Sequence, residues 1–214
     1  MRNGATAVAV LAVMMCGAGV AFAAPAGAGQ GGAPLQANAD QALLIIDIQN
    51  FYFEGGSLPL TGPVEAARQA RRVLDRFRER RQPVIHVRHM PASGPATEQY
   101  AIRPEVAPLP GEKVVEKRYA NSFRDTQLLE VLRGLGVKRV VIVGMQTHMC
   151  VEAAARAAAD LGFEVTVVAD ACATRPLEYG GVQVPAAQVH ASTLAALKGT
   201  YAKIVTADEL LNAR

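Results

Sequence analysis

Three groups in this chain could do chemistry together: a thiol, a carboxylate and an ammonium. Cys150 closes the stretch Gly144-Met145-Gln146-Thr147-His148-Met149 and opens an alanine-rich segment with helical spacing. A thiol at a helix N-terminus feels the positive end of the macrodipole, which favours the thiolate. The same end offers main-chain N–H groups to an oxyanion. Asp47 follows an unbroken apolar run, residues 42–46, where a carboxylate could take the proton of a thiol. Lys117 follows the short apolar pair Val114-Val115 and could hold positive charge beside both. Each has an ordinary alternative: a buried structural cysteine, an aspartate capping a turn, and a surface lysine.

These residues need a scaffold, and the chain alternates strand and helix patterns from residue 41 onward. Residues 42–46, 83–87, 112–116, 139–143, 164–169 and 203–205 read as strands. The first is apolar without alternation, as expected of a strand buried on both faces of a parallel sheet. Helical spacing is found over 63–81, 126–135, 150–161, 185–197 and 207–211. In the first of these the arginines fall opposite the apolar stripe and read as a solvated face. The pattern predicts an α/β fold: a three-layer sandwich with a mainly parallel sheet of about six strands and helices on both faces. In such sheets ligands bind beyond the carboxyl ends of the strands. That rule selects Asp47, residues 86–89, Lys117, residues 144–150 and residues 170–172.

Composition narrows the function classes. The chain has 214 residues, of which 50% are apolar and 19% charged, with a net charge of +3. Its basic residues form no patch, so nucleic acid is not an expected partner. Aromatics make up only 5% and Trp is absent, which disfavours base-stacking platforms and aromatic cages. Three cysteines are too few for a disulfide scaffold.

The first residues differ from the rest. Arg2 is the only charge before Asp40, residues 5–20 are apolar, and Val20-Ala21-Phe22-Ala23 ends in the small residues that a signal peptidase reads. A membrane span would need roughly 20 apolar residues. The expectation is a signal peptide over 1–23, a flexible Gly/Ala/Pro/Gln tether over 24–39, and a single folded domain over 40–214. The mature protein is then exported, periplasmic or secreted, with no membrane attachment once the leader is removed. Export raises the alternative that Cys150 pairs with Cys172 in a disulfide.

Taken together, the fragments resemble the isochorismatase-like cysteine hydrolases over residues 41–209. The resemblance rests on Ile46-Asp47-Ile48-Gln49-Asn50, Glu116-Lys117 followed by Asn121-Ser122-Phe123, and Gly144-Met145-Gln146-Thr147-His148-Met149-Cys150-Val151. Phe53-Glu54-Gly55-Gly56, Asp125-Thr126-Gln127-Leu128, Asp170-Ala171-Cys172-Ala173-Thr174 and Val189-His190 add to it. It implies that Asp47, Lys117 and Cys150 are the catalytic set, with Cys150 attacking the carbonyl carbon of an amide, ureido or lactam C–N bond to give an acyl-enzyme. It also implies a cis peptide at Met145–Gln146 with an oxyanion site there, a small-molecule substrate, no cofactor, and a homo-oligomer. Phe53, Tyr119, Phe123, His148 and Met145 flank the catalytic positions and are expected to line the pocket. Relatives with a metal carry an Asp-x-His pair; residues 55–63 contain neither Asp nor His, so no metal site is expected. His86 and His89 would fall on opposite faces of their strand. Cys172 is expected to be a buried free thiol. The competing reading is a binding or scaffolding protein that keeps the fold without turnover.

Overall fold

The computed structural model describes residues 40–213, so the expected leader and tether lie outside the described residues. The first strand, β1 (Gln41–Ile46), is buried along almost its whole length. It is followed by helix α1 (Pro63–Glu79), which starts on a proline whose fixed φ suits the first helical turn. Its apolar stripe of Ala66, Ala67, Ala70, Val73, Leu74 and Phe77 faces the sheet. Strand β2 (Val84–His89), strand β3 (Lys113–Lys117) and helix α2 (Leu128–Gly134) follow. Next come β4 (Arg139–Met145), a π-helical turn (Thr147–Val151), α3 (Glu152–Asp160) and β5 (Glu164–Ala173). A hairpin of β6 (Leu177–Tyr179) and β7 (Val182–Val184) leads to α4 (Ala186–Leu197), β8 (Lys203–Val205) and α5 (Ala207–Asn212).

Six strands form one sheet in the order β3-β2-β1-β4-β5-β8, every neighbouring pair parallel. Strand side chains alternate between two cores. Ala42, Leu44 and Ile46 of β1 pack with residues of α2, α3 and α4, while Leu43 and Ile45 pack with α1 and α5. This is the expected three-layer sandwich. The chain order reverses between the neighbours β1 and β4, so their carboxyl ends open the crevice where ligands of such sheets bind.

Several boundaries differ from the sequence expectation, each for a local reason. The helix expected over 126–135 spans Leu128–Gly134, because the Thr126 hydroxyl is tied into the turn that precedes it. The Thr126 Oγ1 donates to the Ser122 carbonyl at 2.7 Å and accepts the Leu128 N–H at 3.3 Å. Strand β5 runs on to Ala173 instead of ending at residue 169. A bulge allows this: Val167 lies opposite Ile142, and pairing resumes with Cys172 opposite Gly144. Asp170 and Cys172 therefore lie within the strand rather than past it. The β6–β7 hairpin was not among the expected elements. Its Gly180-Gly181 turn takes positive φ at both residues (59° and 78°), the conformation that closes two-residue hairpins.

Candidate active site

Asp47 directly follows β1 with φ at 49°, a left-handed backbone that aspartate tolerates better than most residues. The reversal takes its carboxylate out of the strand while its N–H still bonds the Val87 carbonyl at 3.0 Å. Lys117 is the last residue of β3, and Cys150 lies in the π-helical turn after β4. These three chain segments converge. The Lys117 Nζ is 2.7 Å from Asp47 Oδ2 and 3.2 Å from Cys150 Sγ, with all three side chains buried.

The approach of β4 to β1 depends on Gly144. Its φ is 136°, and a Cβ there would lie 2.0 Å from the Ile46 carbonyl oxygen. Only glycine lets the strand that leads to Cys150 lie so close to the strand that leads to Asp47. The Met145–Gln146 peptide bond that follows is cis.

The charge state departs from the helix-dipole expectation. The Cys150 thiol is pushed up to about 12, first by burial and then by the Asp47 carboxylate, with Lys117 opposing. The helix proper begins at Glu152, two positions beyond the cysteine, so the dipole's help is smaller than a helix start at 150 would give. Burial works against the charge on Lys117, but Asp47 and Cys150 outweigh it and its pKa is raised. Beside the Lys117 ammonium the thiol therefore rests protonated. The second carboxylate oxygen, Asp47 Oδ1, is buried and has no partner among the described residues.

Other expected site residues divide. Gln146 is buried and donates to the Tyr52 hydroxyl at 3.4 Å, while its Oε1 has no partner among the described residues. Tyr52 is buried beside the site. Burial, then the Asp47 and Cys150 charges, raise its phenol pKa, so the hydroxyl stays protonated. Tyr119 is 40% exposed and lies under the Arg124 guanidinium at 3.6 Å. It lines a cavity of about 430 Å³ that reaches Lys117, with Met90, Arg118 and Asp125. His148 is half-buried, its Nδ1 2.5 Å from the Thr174 hydroxyl, and its pKa is lowered by burial and by Arg175. Phe53, Phe123 and Met145 are taken up by packing. Phe53 is buried beneath Arg103 (4.4 Å), Phe123 stacks on Phe163 (centroids 6.3 Å apart), and Met145 is wholly enclosed in the core under α1. Cys150 and Cys172 are both free and buried, and burial pushes the Cys172 thiol up to about 12.

Arg175 was not singled out from sequence, and His89 was picked only as one of residues 86–89 beyond a strand end, not as a partner of Lys117. His89, at the end of β2, places Nδ1 3.2 Å from Lys117 Nζ. One ligand-type atom from each of Asp47, His89 and Cys150 lies within 4.8 Å of the others, a spacing a metal ion could use. The Lys117 ammonium touches all three side chains, so a cation already occupies that place. Arg175, just past β5, has a buried Nε with no partner among the described residues and one long bond, 3.5 Å, to the Pro176 carbonyl. Its charge lowers the pKa of both Tyr52 and His148, which places it at the rim of the same site. His86 is fully buried and pairs with Glu112 at 2.9 Å.

Known proteins share this arrangement of sequence and fold. The isochorismatase domain matches residues 41–209. The isochorismatase family protein YddQ of Bacillus subtilis is 43% identical over 176 residues, covering 79% of this chain and 98% of that protein. The secreted isochorismatase effector Isc1 of Verticillium dahliae is 35% identical, covering 80% and 90% respectively. A crystal structure from Oleispira antarctica, described as an isochorismatase hydrolase, superposes with a TM-score of 0.78 at 47% identity, over 82% of this chain and 98% of that one. More distant relatives include nicotinamidase 3 of Arabidopsis thaliana and the maleamate amidohydrolase of Pseudomonas putida, at 29% and 33% identity. The ureidoacrylate amidohydrolase of Stutzerimonas stutzeri is 29% identical. With the matched domain spanning nearly all of the described residues, the chain belongs to the isochorismatase family and is a hydrolase of that family.

Proposed function

We propose that the protein hydrolyses the C–N bond of a small amide or ureido compound, with Cys150 as nucleophile. The observation that carries this is the buried Lys117 ammonium, bonded at once to Asp47 and to Cys150 at the β1/β4 crevice. A substrate carbonyl entering that crevice excludes the remaining water, and the thiol proton passes to Asp47, whose Oδ1 is otherwise unpartnered. The sulfur forms a bond to the carbonyl carbon, and the carbonyl electrons become an oxyanion. We assign its stabilisation to main-chain N–H groups at Gln146 and Cys150 and to the Lys117 charge. Collapse breaks the C–N bond, and the amine leaves with the proton held by Asp47. Water then adds to the thioester while Asp47 accepts its proton; the carboxylic product departs and the thiol is restored.

The nearly unpartnered Arg175 supports substrates that carry a carboxylate, since a guanidinium recognises one bidentately. The names of the maleamate and ureidoacrylate relatives agree with that class. The apolar leader with its Ala21-x-Ala23 end supports export, and family resemblance supports a homo-oligomer. The test is ammonia release from a panel of amides and ureido acids, with and without a carboxylate, by wild type and Cys150→Ser. Turnover by wild type and none by the variant is expected. Equal turnover by both removes Cys150 as the nucleophile, and binding without turnover by wild type favours the non-catalytic reading.

A further inference from the structure

An ammonium carries three N–H donors and no acceptor. Lys117 has three partners within reach: Asp47 Oδ2 at 2.7 Å, Cys150 Sγ at 3.2 Å and His89 Nδ1 at 3.2 Å. The side chain is buried, so water does not replace a missing partner. Because the ammonium can only donate, the His89 Nδ1 must be the unprotonated ring nitrogen, and the ring proton resides on Nε2.

His89 is itself held by a dedicated clamp. The Gln49 side chain is fully buried and bonds both main-chain groups of His89. Its Oε1 accepts the His89 N–H at 2.8 Å, and its Nε2 donates to the His89 carbonyl at 3.0 Å. The same Nε2 donates to the Tyr100 carbonyl at 2.7 Å. The next residue, Met90, donates its N–H to the Lys117 carbonyl at 2.8 Å, tying the end of β2 to the end of β3. A buried amide that locks one residue's backbone on both sides fixes the direction of that residue's side chain, and here the side chain ends on the site's ammonium.

We propose that His89 is a positioning residue, held by Gln49, whose neutral Nδ1 completes the coordination of the Lys117 ammonium and keeps that charge directed at Cys150. The proposal rests on the reading of Cys150 as nucleophile, and it acts through Lys117 without contact with the reacting atoms. Removing the acceptor leaves one buried N–H of the ammonium unmatched, which disfavours the charged form of Lys117. The Cys150 thiolate then loses part of its counter-charge and forms less readily.

The side chain of Asn carries an acceptor where the histidine ring has Nδ1, whereas Gln reaches further and Leu offers none. The experiment compares His89→Asn, His89→Gln and His89→Leu, each checked for native circular dichroism. It reads iodoacetamide alkylation of Cys150 at pH 9, located by peptide mass spectrometry. Alkylation is expected to stay within about twofold of wild type for Asn, and to slow about tenfold for Gln and Leu, the factor that one unit of thiol pKa gives. On a turned-over substrate, kcat should fall in the same order with KM unchanged. Asn as slow as Gln, or Leu as fast as wild type, overturns the proposal; should Leu not fold, the Asn/Gln comparison decides. Alkylation needs no substrate, so a wild type that hydrolyses nothing counts against the function proposed above and leaves this readout intact.

Discussion

At Cys150 two charged neighbours pull in opposite directions. Asp47 raises the thiol pKa and Lys117 lowers it, on top of a large upward push from burial. Neutralising the carboxylate therefore separates reactivity from catalysis. In Asp47→Asn the thiolate becomes the only anion touching Lys117, so its titration moves to lower pH. Alkylation of Cys150 at pH 7.5 should accelerate by about tenfold or more, while amide hydrolysis falls by about 10²–10⁴ through loss of the base. Alkylation that slows along with hydrolysis would show that Asp47 does not oppose the thiolate. Asp47, Lys117 and Cys150 were legible in the sequence because each sits where a recognisable pattern stops. His89 was marked only by its place at a strand end; its contact with Lys117 was not legible, because it depends on Gln49 and on Lys117, both far away along the chain. The direction of the thiol shift was also misread, since a helix-end argument says nothing of burial or of a facing carboxylate.

Elements decide whether those residues meet. The site needs β1 and β4 closer together than side chains allow, and Gly144 supplies the space. Gly144→Ala sets a Cβ into the Ile46 carbonyl and also forces φ into a region that alanine rarely adopts. The expected cost is about 3 kcal/mol of stability, read by urea unfolding, with activity lost even where the variant remains folded at low temperature. A variant of wild-type stability and turnover would show that the strands can part without cost. Strand and helix order was readable from periodicity, as the apolar run of β1 and the stripe of α1 illustrate. Ends were less so: the Thr126 hydroxyl ties up the preceding turn and delays α2 to Leu128, and the bulge between Ile142 and Gly144 lengthens β5. The β6–β7 hairpin did leave a trace, with Gly180-Gly181 set between the alternating pairs Leu177/Tyr179 and Val182/Val184.

Across the whole molecule, a second, half-buried charge cluster stands apart from Asp47, Lys117 and Cys150, near the opposite end of the strands. Glu112, just before β3, bonds Arg78 of α1 at 2.8 and 2.9 Å and His86 of β2 at 2.9 Å, and accepts the Leu109 N–H at 2.8 Å. Burial pushes its carboxyl pKa up, but these donors prevail and bring it to about 2. A carboxyl lowered on folding stabilises the protein above its ordinary value of 4.5, and that contribution is lost as the pH falls towards 2. Glu112→Gln should cost about 2 kcal/mol at pH 7. Its Tm should also fall less steeply than that of wild type between pH 4.5 and pH 2; parallel curves would remove Glu112 from the acid sensitivity.

The protonated state of Cys150 has a consequence of a different kind. Peroxides and disulfides react with thiolates, hardly at all with thiols, and the sulfur here is both enclosed and protonated at rest. The Cys150 sulfur is thereby shielded from oxidation in the resting protein. For the nucleophile proposed above, such dormancy gives a working lifetime that a permanently activated thiolate would lack.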